Sequence, residues 1–408
     1  MKNYFNLKSI CFLVIVLFMT SCESEDDSNQ ENSNVLLTIN GSEITDNLWI
    51  NIKGRNGEDL VVSKITNGEM AFENNVYEGD KIAVTIFSKN NAKTYLNVPR
   101  NKTIRINYFD PVQTQSSQFQ IINYPDDFKS FVISRKNRFS PFSEEVNNIF
   151  SWGYTPDEDI YFSVYRENNP PYYIVTNPSD NDLNIFDIDQ AIEMENQHKL
   201  SLSFNDPSSF SFDASITGLE LENDEVLPMY VFYSGALLTP TLNNNLNIYT
   251  PNGFKGFRTN IYARKDDVVY RSFNPLEIPS TFDFIDPNII VTDDSFDNFD
   301  IVSDDLSLSY TTSKWSKLNP QQGTVSWSIT YPSNGVSNYF GSQTIPQEIK
   351  AEFPEFEDLN DLSLISSEMT NLNNKNYDGS IEELFNYYIS TAHNPNTLLS
   401  KTFLFDSN

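Results

Sequence analysis

Cysteine is nearly absent from the 408-residue chain, which has only Cys11 and Cys22. Everything downstream therefore lacks disulfides, thiolate–zinc sites and cysteine nucleophiles. Histidine is equally scarce, with His198 and His393 alone, and neither has a partner at metal-ligand spacing. A Ser–His–Asp arrangement would have to use one of them. His198 lies in a polar, helix-like segment and His393 precedes the turn Asn394-Pro395, so both read as solvated surface residues. The HExxH, GxSxG and glycine-rich phosphate-loop patterns are missing, and no cofactor is expected. Positive charge is short as well: 27 Lys and Arg face 56 Asp and Glu, a net charge of −29. Nucleic-acid binding depends on Lys and Arg neutralising phosphates. The balance argues against nucleic acid as a partner, and against anionic lipid surfaces.

What is present at the N-terminus is an address. Lys2 and Lys8 form a positive n-region, and residues 10–19 (ICFLVIVLFM) are an uninterrupted apolar run. A spanning helix needs about 20 apolar residues, so the run fits a signal-peptide core instead. It ends at Met19-Thr20-Ser21-Cys22. This segment resembles the lipobox of bacterial lipoproteins, in which small residues precede a cysteine that is acylated and becomes the mature N-terminus. Met19 stands where that family usually has Leu. The following Glu23-Ser24-Glu25-Asp26-Asp27 resembles the export tag of surface-exposed lipoproteins of the Bacteroidetes group. The resemblance implies an exported protein held by lipid on Cys22, on the outer membrane and facing the cell surface. Each buried methylene contributes about 0.8 kcal/mol, so one acyl chain holds a protein marginally and two or more hold it stably.

Residues 23–33 carry no apolar side chain and read as a disordered tether, which places the tether at 22–34. Beyond it the dominant signal is alternation. Val325, Trp327, Ile329 and Tyr331 fall on one face of a strand, and Thr324, Ser326, Ser328 and Thr330 on the other. The same period recurs at Ile82, Val84 and Ile86, at Ile160, Phe162 and Val164, at Leu200, Leu202 and Phe204, and at Leu306, Leu308 and Tyr310. An antiparallel strand with one wet face buries such a set and a helix does not. Asn56-Gly57, Asn67-Gly68, Asn252-Gly253 and Asn334-Gly335 supply hairpin turns. Helix signals are few. Ser380 and Glu383 have capping-box spacing ahead of Leu384, Phe385 and Tyr388, and a weaker candidate runs over 189–199. The expected fold is mainly β, built of tandem antiparallel β-sandwich domains with few short helices.

Segments 86–99, 161–178 and 261–275 share an outline of apolar strand, basic residue, polar turn, aromatic strand and proline. Their spacings are irregular, so shared hairpin physics accounts for them without a repeat. Residues 48–87, with glycine turns at Gly54 to Gly57 and Gly79, resemble the small transthyretin-like or carboxypeptidase-regulatory-like sandwich; an immunoglobulin-like sandwich gives much the same pattern. The implied organisation is a signal at 1–21, the tether, a small sandwich at 35–110, a β domain at 111–200 and a β-rich region at 201–408. That last region has a further division near 290 and a short C-terminal helix.

Two acidic clusters are candidates for calcium. Asp180-Asn181-Asp182 opens like an EF-hand loop, but Ile185 and Ala191 stand where that loop needs Gly and Glu. Asp293, Asp294, Asp297 and Asp300 form the other, and both read as solvated loops. Aromatics beside turns are the remaining hint, because exported glycan-binding domains stack sugars on Trp and Tyr. Trp152, Tyr172 and Tyr173 are the candidates. The expected function is a non-enzymatic binding or accessory module whose partners are the membrane, polysaccharide or an outer-membrane protein. The rivals are a hydrolase using two of the many carboxylates and a structural or adhesive surface protein.

Overall fold

The computed structural model describes residues 34–405 with interruptions, the longest at 108–114, 143–148, 177–182, 334–343 and 374–396. The signal, Cys22 and the expected helix around Leu384 lie outside the described residues. The rest is mainly β, a series of tandem sandwiches. The first unit comprises β1 (Val35–Ser42), β2 (Leu48–Lys53), β3 (Asp59–Ile65), β4 (Gly68–Glu73), β5 (Lys81–Ser88), β6 (Asn91–Pro99) and β7 (Lys102–Asn107). One layer has the order β4-β1-β7 and the other β3-β2-β5-β6. Leu37, Ile39, Ile50, Ile52, Ile82 and Val84 meet between them. Each such side chain contributes roughly 1.5–3 kcal/mol on burial, which is what the alternation is for.

The second unit repeats this plan with β8 (Gln115–Ile122), β9 (Phe128–Arg135), β10 (Arg138–Phe142), β11 (Phe150–Tyr154), β12 (Ile160–Arg166), β13 (Tyr172–Thr176) and β14 (Leu183–Asp187). Its layers are β11-β8-β14 and β10-β9-β12-β13, the latter extended by β15 (Ile192–Glu193). The third uses β16 (Asn196–Leu202), β17 (Ser211–Glu222), β18 (Glu225–Leu238), β19 (Asn245–Thr250), β20 (Gly256–Lys265), β21 (Val268–Asn274) and β22 (Thr281–Phe282). Its layers are β19-β16-β22 and β18-β17-β20-β21. In all three, the first strand runs parallel to the seventh. That parallel pair departs from the wholly antiparallel expectation: a closing strand that crosses between layers arrives in the same direction as the first.

A fourth unit keeps only the four-stranded layer in full. It is formed by β25 (Tyr310–Asn319), β26 (Gly323–Pro332), β27 (Ser363–Asn373) and β28 (Thr397–Leu404). Opposite it lie a ribbon of β23 (Ile289–Asp293) and β24 (Asp300–Ser303) and the helix α1 (Gln347–Glu352), which the sequence did not announce. Trp315, Trp327, Phe296, Phe299 and Phe356 fill that core.

The units join by strand edges. β21 pairs antiparallel with β28, and β26 pairs parallel with β6, giving one sheet of twelve strands from β18 to β3. Ala83, Phe87 and Ala92, on the outer face of the first unit's layer, enter the core of the fourth. There Trp327 Nε1 donates to Thr94 Oγ1 at 2.8 Å, and its ring meets Phe87 edge-on at 5.3 Å. The β21–β28 pairing joins strands on either side of the division expected near 290. The second unit packs by its face: Tyr161 lies against Tyr230 at 4.7 Å, and Val231 N–H donates to Ser134 Oγ at 2.7 Å.

Candidate functional site

The three candidate aromatics do not form one surface. Trp152, on β11, is 6% exposed, stands edge-on to Phe119, and donates from Nε1 to Ser140 Oγ at 3.0 Å. It is a core residue, and its proposed role as a sugar-stacking ring is corrected: turn-like neighbours suggested exposure, but the strand turns the indole inward. Tyr172 and Tyr173 lie on β13, in the opposite layer, and are half-buried. The Arg166 guanidinium covers the Tyr172 ring at 4.6 Å. Arg166 Nε is 2.9 Å from Asp127 Oδ1, and Asn169 Nδ2 is 2.5 Å from the other oxygen. Burial pushes the Asp127 carboxyl up, but these hydrogen bonds outweigh it and hold it below the ordinary carboxylate range. One face of Tyr172 is therefore already occupied.

His198 is on β16, not in a helix; the segment expected as helix over 189–199 is a three-residue 3-10 turn followed by strand. Its side chain is half-buried beside Phe257, with Nε2 3.1 Å from Thr250 Oγ1. Burial holds its pKa below the ordinary value. It is a packed residue, not a solvated one. His393, Asp180 and Asp182 lie outside the described residues. Asp293 faces Asp300 across the β23–β24 ribbon and accepts from Ser295 N–H at 2.9 Å. The Asp294 carbonyl accepts from Trp315 Nε1 at 2.8 Å. Among the described residues no three His, Cys, Asp or Glu side chains converge as metal ligands would.

A cleft of about 180 Å³ opens beside α1, lined by Asp297, Thr344, Lys350, Phe356 and Asp358 among others. Typical small-molecule sites are roughly 300–1,000 Å³, so it suits a side chain better than a ligand.

The broadest candidate is the outer face of the third unit's layer β18-β17-β20-β21. On β20, Thr259, Ile261 and Ala263 point inward while Arg258, Asn260, Tyr262 and Arg264 point out. The Arg264 and Arg271 guanidinium carbons lie 5.9 and 5.7 Å from the Tyr262 ring centroid. Arg271 donates from Nε and Nη2 to Asn260 Oδ1 at 3.0 and 2.8 Å, and Arg264 Nε is 3.6 Å from Asp213 Oδ2. The alternation of residues 257–265 (FRTNIYARK) carried this signal, but a charge count over the whole chain hides a local excess.

No protein-family model matches the chain, and no curated protein matches it. Among solved structures, the N-terminal four immunoglobulin domains of Dscam1 isoform 6.9 align with 74% of this chain and 97% of that one. The identity is 7% and the TM-score 0.13, values at which the likeness carries no argument.

Proposed function

We propose that the chain is an exported, non-enzymatic binding module, held on the outer membrane by lipid on Cys22, that presents the outer face of the third unit's strands β20 and β21 to polysaccharide at the cell surface. The observation that carries this reading is the sheet itself. The first, third and fourth units share one sheet, and on the outer face of its third-unit strands Tyr262 stands half-buried between Arg264 and Arg271. A rigid sheet holds such side chains in place at little entropic cost on binding. The lipobox-like segment and acidic tag support the anchor.

Two measurements test it. Affinity electrophoresis of the full-length protein through gels containing a panel of polysaccharides is expected to show retardation by at least one. If none retards it and a pull-down from intact cells recovers an outer-membrane protein, the adhesive reading replaces this one. Replacement of Cys22 by Ala is expected to release the protein from membranes, and a variant still sedimenting with them after a high-salt wash would remove the anchor.

A further inference from the structure

We propose that the second unit joins a second copy of this chain through the free edge of β14, extending the layer β11-β8-β14 into a six-stranded sheet shared by two molecules. This goes beyond the binding-module reading and uses a different unit. Edge pairing is already how the chain joins its own parts, β26 on β6 and β28 on β21. Among the described residues the second unit pairs no strand with any other unit. The seventh strand is where the three sandwiches differ. The edge strand β7 carries Lys102, and the edge strand β22 has only two residues. A lysine and a short length are both guards against strand addition. β14 (LNIFD) has five residues, no lysine, arginine or proline, and no bulge in its ladder with β8. Among the described residues nothing pairs with its other edge.

The face beside that edge is aliphatic and carries no free charge. Leu183 and Ile185 are 37% and 56% exposed, and Ile149, immediately before β11, is 51% exposed. The strand registers set Leu183 beside Gln118 and Ser151, and Ile185 beside Gln120. The matching layer exposes Glu69 and Glu73 in the first unit and Lys199 in the third. The one charge on β14, Asp187, is engaged. Its carboxylate accepts from Asn123 Nδ2 at 2.8 Å, from Asp189 N–H at 3.1 Å and from Gln190 Nε2 at 3.3 Å. Exposed aliphatic patches of this kind mark contact surfaces, and the charge decides the occupant. Two copies of net charge −29 repel over most of their surface, and here they meet without setting charge against charge. The strand is also self-complementary. An antiparallel pair about a two-fold axis at Asn184 sets Leu183 opposite Ile185 of the second copy, and Ile185 opposite its Leu183. Both cross-strand pairs on the outer face are then aliphatic. A short edge and a few side chains fall below the roughly 1,200–2,000 Å² of stable interfaces, so the dimer is weak, with a dissociation constant of about 10–100 μM.

The test is sedimentation velocity of the full-length protein in detergent from about 1 to 200 μM, with oxidation of Asn184→Cys as a positional probe. The expected result is a monomer–dimer equilibrium that tightens as salt rises, because screening relieves the repulsion between two acidic chains. Ile185→Lys should weaken it about tenfold at an unchanged thermal midpoint, since the side chain is exposed. Leu183→Lys provides a second variant if that midpoint shifts. Directly opposed strand residues lie about 4.5–5.5 Å apart, within the disulfide reach of about 4.4–6.8 Å, so Asn184→Cys should cross-link to its own copy. Gln118→Cys, three strand steps or roughly 14 Å from its copy, should not, and the native protein is the blank for Cys11 and Cys22. A monomer throughout, a dimer that tolerates both lysine substitutions, or no cross-link with Asn184→Cys would each overturn the inference. So would a native monomer that recovers an outer-membrane protein from intact cells and loses it on Ile185→Lys, which would assign the edge to a foreign strand. Polysaccharide retardation belongs to β20 and β21 and is read separately, so failure of the dimer leaves that reading in place.

Discussion

Trp152 lies under the second sandwich's Phe119 with its indole N–H on Ser140, so truncating it removes packing and leaves the sheet face untouched. Trp152→Ala is expected to cost about 3–5 kcal/mol, read as a lower urea midpoint, with polysaccharide retardation unchanged in the folded variant. A loss of retardation at native stability would return Trp152 to the binding surface. Ionisation acts at the same scale. Burial pushes the Tyr95 hydroxyl up to about 12, and burial together with the Asp286 carboxylate pushes Tyr270 up to about 12. The folded protein therefore holds these protons more tightly than the unfolded chain. Their contribution is complete below the unfolded value near 10 and is lost as pH rises from there through about 12. Alkaline thermal melts should fall over that window, and Tyr95→Phe should flatten the fall. His198 works in the other sense: burial lowers its pKa, so its contribution is complete above about 6.5 and declines as pH drops through that value.

At the scale of elements, much of the fold was legible in alternation and turn chemistry. Val325, Trp327, Ile329 and Tyr331 do share a buried face, because period two sends every second side chain into one layer. Gly57, Gly68 and Gly253 all adopt positive φ, as their Asn-Gly turns suggested, while Asn334-Gly335 lies outside the described residues. Gly68, at φ +101°, has nothing within 4 Å of an added Cβ, so its cost is backbone conformation alone. Gly68→Ala is expected to lose about 1–2 kcal/mol in chemical unfolding; no loss would mean the turn is free to change type. Segments 86–99, 161–178 and 261–275 acquire a meaning that spacing hid. They contain the β5–β6, β12–β13 and β20–β21 hairpins, the fifth and sixth strands of each unit. The turn is two residues long in the first and third hairpins but five in the second, which broke the periodicity and left only the outline. Helix α1 has no side-chain cap hydrogen bond and follows Pro346, so no local signal announced it, and neither did the burial of Trp152, which depends on a partner strand.

For the whole molecule the decisive feature is how the sandwiches meet, and that was illegible because edge pairing between distant strands leaves no local mark. β6 and β21 would be free edges in isolated units, and a long free edge is a template for another chain. The fourth unit covers both, β26 on β6 and β28 on β21. At the second junction Lys401 Nζ lies 2.5 Å from Asp286 Oδ1 and 3.1 Å from the Pro287 carbonyl, while the Tyr270 hydroxyl donates to the same Asp286 oxygen at 3.0 Å. The segment leading out of the third unit is thereby tied to the last strand of the fourth. If the shared sheet makes the first, third and fourth units one cooperative body, a chain ending at residue 299 loses β24 to β28 and bares both edges. Such a chain is expected to self-associate in size-exclusion chromatography and to melt below the full-length protein. A monomeric fragment keeping the full-length midpoint would show instead that each sandwich is stable alone and that the joined sheet only orients them.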